Sequence, residues 1–103
     1  VTRRIVGFDC ETDLIQPGQV YPALACVTLS DGNRDRLLSA AEGVSEVEVL
    51  LDAAASGSVV LVGANVAYDV GVVVAEAQAT LPAREADEVH ELAWRAYDAG
   101  GIS

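Results

Sequence analysis

The apolar pattern of this chain changes period once, and that change sets the order of its elements. Up to Leu38, apolar residues come in short runs separated by turn residues. Arg4 to Phe8 (Arg-Ile-Val-Gly-Phe) is apolar on both faces, the pattern of a central, buried strand. Gln16-Pro-Gly18 marks a turn. Val20 to Leu29, rich in Val, Leu and Ala, reads as a second strand. Ser30-Asp-Gly-Asn33 is a hairpin signal, and Arg34 to Leu38 returns as a short third strand. Three strands so closely spaced imply an antiparallel meander.

Beyond that point the period becomes helical. Ser45 followed by Glu48 has the spacing of a capping box, which predicts a helix start there. Val47, Leu50, Leu51 and Ala54 continue at helical spacing and Gly57 ends the run. Val59 to Val62 is a buried strand, and about Ala67 to Ala79 reads as a second helix, although its valines are weak helix formers. Leu81-Pro82 breaks the chain. Val89, Leu92, Ala93 and Ala96 outline a third helix closed by Gly100-Gly101, with Ile102 positioned to open one more strand. The expected order is β-β-β-α-β-α-α, a mixed sheet covered by helices in one α/β unit.

Composition narrows the function. Apolar residues make up 51 % of the 103, enough for a core, and no apolar run approaches the ~20 residues of a membrane span. No signal-peptide segment opens the chain, so no membrane partner and a cytoplasmic location are expected. Both ends read as cut: the chain starts at Val1 instead of Met and stops at Ser103, just after a Gly-Gly pair. Cys10 and Cys26 lie in apolar, strand-like runs and read as small buried hydrophobes in a reducing compartment. Two cysteines with no histidine nearby do not make a zinc site. His90 falls on a polar helix face. The net charge is −10 and there is no lysine. Binding of nucleic acid ordinarily rests on Lys and Arg neutralising phosphates, so metal ions or a neighbouring basic domain would have to supply what this chain lacks.

The carboxylates carry the chemical information. In Phe8-Asp9-Cys10-Glu11-Thr12, residues two apart on a strand share a face, so Asp9 and Glu11 project side by side. Two like charges in a partly desolvated place repel, and a divalent cation is their natural partner; oxygen-only ligands favour Mg²⁺ or Mn²⁺. A polar strand end leading into a loop is the simpler alternative. In Gly63-Ala-Asn65-Val-Ala-Tyr68-Asp69, Asn65 closes a buried strand and Asp69 falls in the first turn of the next helix, where the helix dipole favours a carboxylate. Capping of that helix by Asn65, with Asp69 merely well placed in the dipole, is the alternative here.

Together, Asp9-x-Glu11-Thr12 on the first strand and Asn65-x-x-Tyr68-Asp69 at the start of a later helix resemble the first and second motifs of the DnaQ-like (DEDD) 3′–5′ exonucleases. Tyr68 before Asp69 leans toward the proofreading domains of family A DNA polymerases. The resemblance implies an RNase H-like mixed sheet, C-terminally incomplete, with residues 1–103 as the N-terminal part of one exonuclease domain. It implies two-metal hydrolysis at the single-stranded DNA 3′ end, with Asp9, Glu11 and Asp69 as catalytic residues and ligands of Mg²⁺ or Mn²⁺. Glu11 would also help to orient the attacking water. Thr12, through its backbone, and Asn65 match positions that contact the 3′-terminal nucleotide. Ile15 aligns with an apolar wedge between the last bases, although Leu14 serves equally and an ordinary loop hydrophobe is the plainer alternative.

The family's third motif, Tyr-x-x-x-Asp or His-x-x-x-x-Asp, is missing: four residues after Tyr97 comes Gly101, and five after His90 comes Arg95. The fragment is therefore expected to be inactive alone, with an attached polymerase domain as partner in the parent protein. A non-catalytic exonuclease-like module and an RNA-trimming relative are the alternatives. Asp13 reads as solvated, and Trp94 and Tyr97 as core or interface residues, with base stacking the second option.

Overall fold

The computed structural model describes residues 2–103, so Val1, where the N-terminus reads as cut, lies outside the described residues. Four strands and three helices follow in the expected order: β1 (Arg4–Thr12), β2 (Leu24–Ser30), β3 (Asp35–Ser39), α1 (Ala40–Ala55), β4 (Val59–Val62), α2 (Val66–Thr80) and α3 (Ala83–Asp98). The sheet runs β3-β2-β1-β4, with β1 antiparallel to β2, β2 antiparallel to β3, and β4 parallel to β1. It is a mixed α/β sheet with a meander on one side. Past α3, Ile102 makes one parallel bridge to Leu61, so the chain starts to extend the sheet beyond β4.

The turns follow from their residues. The Asp31 carboxylate accepts the backbone N–H groups of Asn33 and Arg34 at 3.0 and 2.9 Å, which closes the β2–β3 hairpin. β2 begins at Leu24, four residues later than its apolar run, because Pro22 cannot donate to a ladder.

Helices α1 and α2 cover one face of the sheet, and α3 packs on α1 and α2. Val6, Phe8, Val27, Leu29, Leu38 and Leu61 line the covered face against Val44, Val47 and Leu51 of α1. Each such side chain contributes roughly 1.5–3 kcal/mol by leaving water. The opposite face is open: Ile5 is 61 % exposed and Leu37 73 % exposed. β1 is therefore central in the sheet but not buried on both sides. The apolar residues of Ile5–Phe8 satisfied a pattern that coverage of only one face does not require.

Helix α1 starts six residues before the predicted Ser45. Ser39 is its N-cap, and Ser39 and Glu42 form the reciprocal capping box. Gly43 hides that first turn from a propensity reading. It lies against β2, where a Cβ would stand 2.5 Å from Val27 Cγ2, so packing demands the residue that helix propensity disfavours.

This reassignment separates two serines. Ser39→Ala is expected to cost about 1 kcal/mol in urea unfolding. Ser45→Ala, in the helix interior and exposed, is expected to stay within about 0.5 kcal/mol of wild type. Equal losses would contradict the Ser39 cap.

Candidate functional site

β1 outruns its parallel neighbour. β4 pairs only with Arg4 to Gly7, and from Phe8 to Thr12 that edge of β1 has no strand beside it. After Val62 the chain turns sharply across this open edge and enters α2. Gly63 permits the turn, since a Cβ there would stand 2.5 Å from the Phe8 carbonyl oxygen. The first turn of α2 thus comes down beside the second half of β1, and Asp69 meets Asp9.

Asp69 is the only buried charged residue among the described residues, 5 % exposed. Burial raises its carboxyl above the ordinary value and the negative charge of Asp9 raises it further, while the Cys10 backbone N–H works in the opposite direction. No arginine pairs with it: the ion pairs among the described residues are Arg36–Glu46, Arg84–Glu88 and Arg95–Glu91. The negative charge of Asp9 thus acts on a buried carboxyl that no cationic side chain pairs.

The Cys10 thiol lies next to them. Its Sγ donates to the Asp69 carbonyl at 3.6 Å, and burial pushes its pKa up to about 12, helped by Asp69, Asp9, Cys26 and Glu11. Such a thiol stays protonated at neutral pH and is no nucleophile. Cys10 and Cys26 are both free and half-buried.

The remaining predicted residues are placed less closely. Glu11 shares the exposed side of β1 with Asp9 but does not add to the field on Asp69. Among the described residues no three His, Cys, Asp or Glu side chains gather as a metal-holding group. Thr12 is half-buried at the end of β1, where the register with β2 slips by one residue; such irregularities often re-aim side chains beside sites. Asn65 sits at the N-cap position of α2, yet its side chain makes no capping bond. Capping therefore does not account for it, and its amide remains available. Leu14 and Ile15 are both exposed in the loop after β1, and the geometry gives neither precedence. Asp13 and His90 are exposed as expected.

Two residues escaped the sequence reading. Glu76 of α2 accepts the Leu24 backbone N–H at 3.0 Å and ties the helix to β2. Tyr21 packs on Gly71 of α2, with its ring 5.6 Å from that of Tyr68. A glycine in mid-helix was the available signal, because it marks close approach by another group. Trp94, 59 % exposed, and Tyr97, also exposed, are not core residues; both line a groove between α2 and α3.

The raised Asp69 carboxyl has a signed consequence. The folded state holds this proton to a higher pH than the unfolded chain, so it binds more protons across the interval between the two values. Stability from this group is full below the ordinary value of 3.8 and falls as pH rises through the raised one. Asp69→Asn is accordingly expected to unfold at a higher temperature than wild type at pH 7 without divalent ions, with the gap narrowing toward acid pH. A lower melting temperature at pH 7 would contradict the like-charge geometry.

No helix among the described residues is long and apolar enough to cross a membrane. No protein-family model matches this chain, and neither a curated protein nor a solved structure does, so its functional reading stands on the geometry of β1, α2 and their carboxylates.

Proposed function

We propose that this chain is the N-terminal part of a DnaQ-like 3′–5′ exonuclease domain of the proofreading type, hydrolysing phosphodiester bonds at single-stranded DNA 3′ ends. One observation carries the reading: a buried aspartate, Asp69, held against Asp9 with no cationic side chain to offset either. Their motifs are those of the resemblance, and a meander continued by a parallel strand and helices agrees with an RNase H-like sheet.

The donor set fits a hard divalent cation. Asp9 and Asp69 offer only oxygen atoms, with Glu11 on the same side of β1 as Asp9, which suits Mg²⁺ or Mn²⁺. When bound, such ions supply Lewis-acid stabilisation of the attacking and leaving oxygens. The chain's own share is positioning. β1 and the first turn of α2 hold the two aspartates at fixed points of the fold, and Glu11 is the group to orient the attacking water. Thr12 and Asn65 flank the carboxylates and are the groups to meet the terminal nucleotide.

Charge also favours a metal-dependent site. Arg3 donates to the Ala99 and Gly100 carbonyls at the end of α3, and Arg36, Arg84 and Arg95 pair with glutamates. Four of the six basic side chains are thus engaged, leaving little to neutralise phosphate except bound ions. A second reading, an exonuclease-like module without catalysis, is favoured by the missing third motif together with the net charge of −10.

Titration with Mn²⁺, followed by electron paramagnetic resonance, distinguishes the two. Wild type is expected to take up the ion, with uptake lost in Asp9→Asn and Asp69→Asn. Equal uptake by all three proteins, or by none, would leave the non-catalytic module. This chain alone is expected to be inactive. A longer product of the same gene carrying a fourth carboxylate is expected to shorten a 5′-labelled single strand from its 3′ end. Asp9→Ala or Glu11→Ala should slow that reaction on the order of 10²–10³-fold or more.

A further inference from the structure

Half of the basic residues of this chain stand around one hollow. It lies where the start of β1, the β2–β3 hairpin and the middle of α1 come together, and its volume is about 270 Å³. Arg4, Arg34 and Arg36 line it, three of the six basic residues, against only two of the 16 acidic ones, Asp31 and Glu46. In a chain of net charge −10 this is a locally positive spot. Its floor is made by Val6, Leu29 and Leu50, all of them buried. An apolar floor keeps water from one side of the charges and strengthens their pull on an anion.

Pairing inside the protein accounts for only part of this cluster. Glu46 takes Arg36, at 3.2 Å. Asp31 is occupied by the hairpin: it accepts the backbone N–H groups of Asn33 and Arg34, and these bonds, more than the charge of Arg4, hold its carboxyl below the ordinary value. Both acids are therefore spoken for. Arg4 and Arg34 make no ion pair among the described residues, and they are the two basic side chains left over once Arg3, Arg36, Arg84 and Arg95 have found partners. That both of them line the same hollow is the observation to explain.

The guanidinium group is a planar fork of donors that grips oxyanions two bonds at a time. A carboxylate has two oxygens and fills one fork. A phosphate dianion has oxygens enough to meet one arginine from β1 and another from the hairpin. A long nucleic-acid strand is a poor occupant, because the remaining surface carries most of the 16 acidic residues and would repel its other phosphates. The hollow is also slightly smaller than most small-ligand pockets. We propose that it binds a compact phosphate dianion, either inorganic phosphate or the phosphate group of a small monoester. Asp9, Glu11 and Asp69 do not line it, so the site stands or falls independently of the hydrolytic reading.

Isothermal titration calorimetry of the whole chain tests the site, with inorganic phosphate, ribose 5-phosphate and acetate as separate titrants and ionic strength held constant with chloride. Saturable binding of phosphate is expected, with none of acetate over the same range. Arg4→Gln and Arg34→Gln are each expected to weaken phosphate binding by about tenfold. Both residues are exposed, and circular dichroism checks that the variants are folded. Arg84→Gln removes the same charge from an exposed position on α3 and is expected to bind phosphate as wild type does. Binding of ribose 5-phosphate as tight as that of inorganic phosphate would identify a monoester site, and binding of inorganic phosphate alone a site for the free ion. Absence of saturable binding by either phosphate, or equal affinity for acetate, would overturn the proposal. So would wild-type affinity in both Arg4→Gln and Arg34→Gln, or an equal loss in Arg84→Gln.

Discussion

Parallel pairing of β4 with only the first residues of β1 is the constraint from which the rest of this structure follows. A strand longer than its neighbour leaves unpaired backbone groups along its edge, and these must be met by something. Here the chain leaving β4 crosses the gap at Gly63 and sets the first turn of α2 against it. The Cys10 backbone N–H turns toward Asp69, and the Cys10 thiol donates to the Asp69 carbonyl. The edge that would otherwise be a liability becomes the place where two distant segments of sequence meet.

That meeting costs stability. A carboxylate buried beside another carboxylate loses hydration and gains repulsion, and a fold selected for stability alone would have placed an amide or a cation there. Elsewhere the molecule pairs its charges conventionally, with arginines on glutamates one helical turn away or at a helix C-terminus. Local conflict in an otherwise consistent structure is the usual mark of a site. The arginine-lined hollow between the β2–β3 hairpin and α1 departs from its surroundings in the other direction, as a locally positive spot in an acid-rich chain.

Much of this was legible in the residues. Short apolar runs divided by Pro, Gly and Asp located the strands, because period and turn chemistry are local properties. The alternation of Asp9 and Glu11 put both on one side of β1 for the same reason. The start of α1 was not legible, since Ser39 and Ser45 both begin a Ser-x-x-Glu pattern and Gly43 weakens the earlier one. The choice between them lies in the contact of Gly43 with Val27, a residue on another strand. The strand start at Leu24 differs from expectation because Pro22 was read within an apolar run instead of as its boundary. Trp94 and Tyr97 were read as core or interface residues, and a place in the core is ruled out because the core side of α3 is filled by alanines and Val89.

By itself the sequence determined the order of the elements, the α/β class and the identity of the candidate carboxylates, all of which depend on neighbours along the chain. Only the tertiary structure decided which carboxylates meet. Asp9 and Glu11 are neighbours on a strand, yet it is the charge of Asp9 that acts on Asp69, because the short β4 brings α2 down beside β1. The same packing decided that one face of the sheet stays open and that Tyr21 stands beside Tyr68. Contacts between residues far apart in the chain depend on strand lengths and on how helices settle over them, and no local pattern encodes those distances.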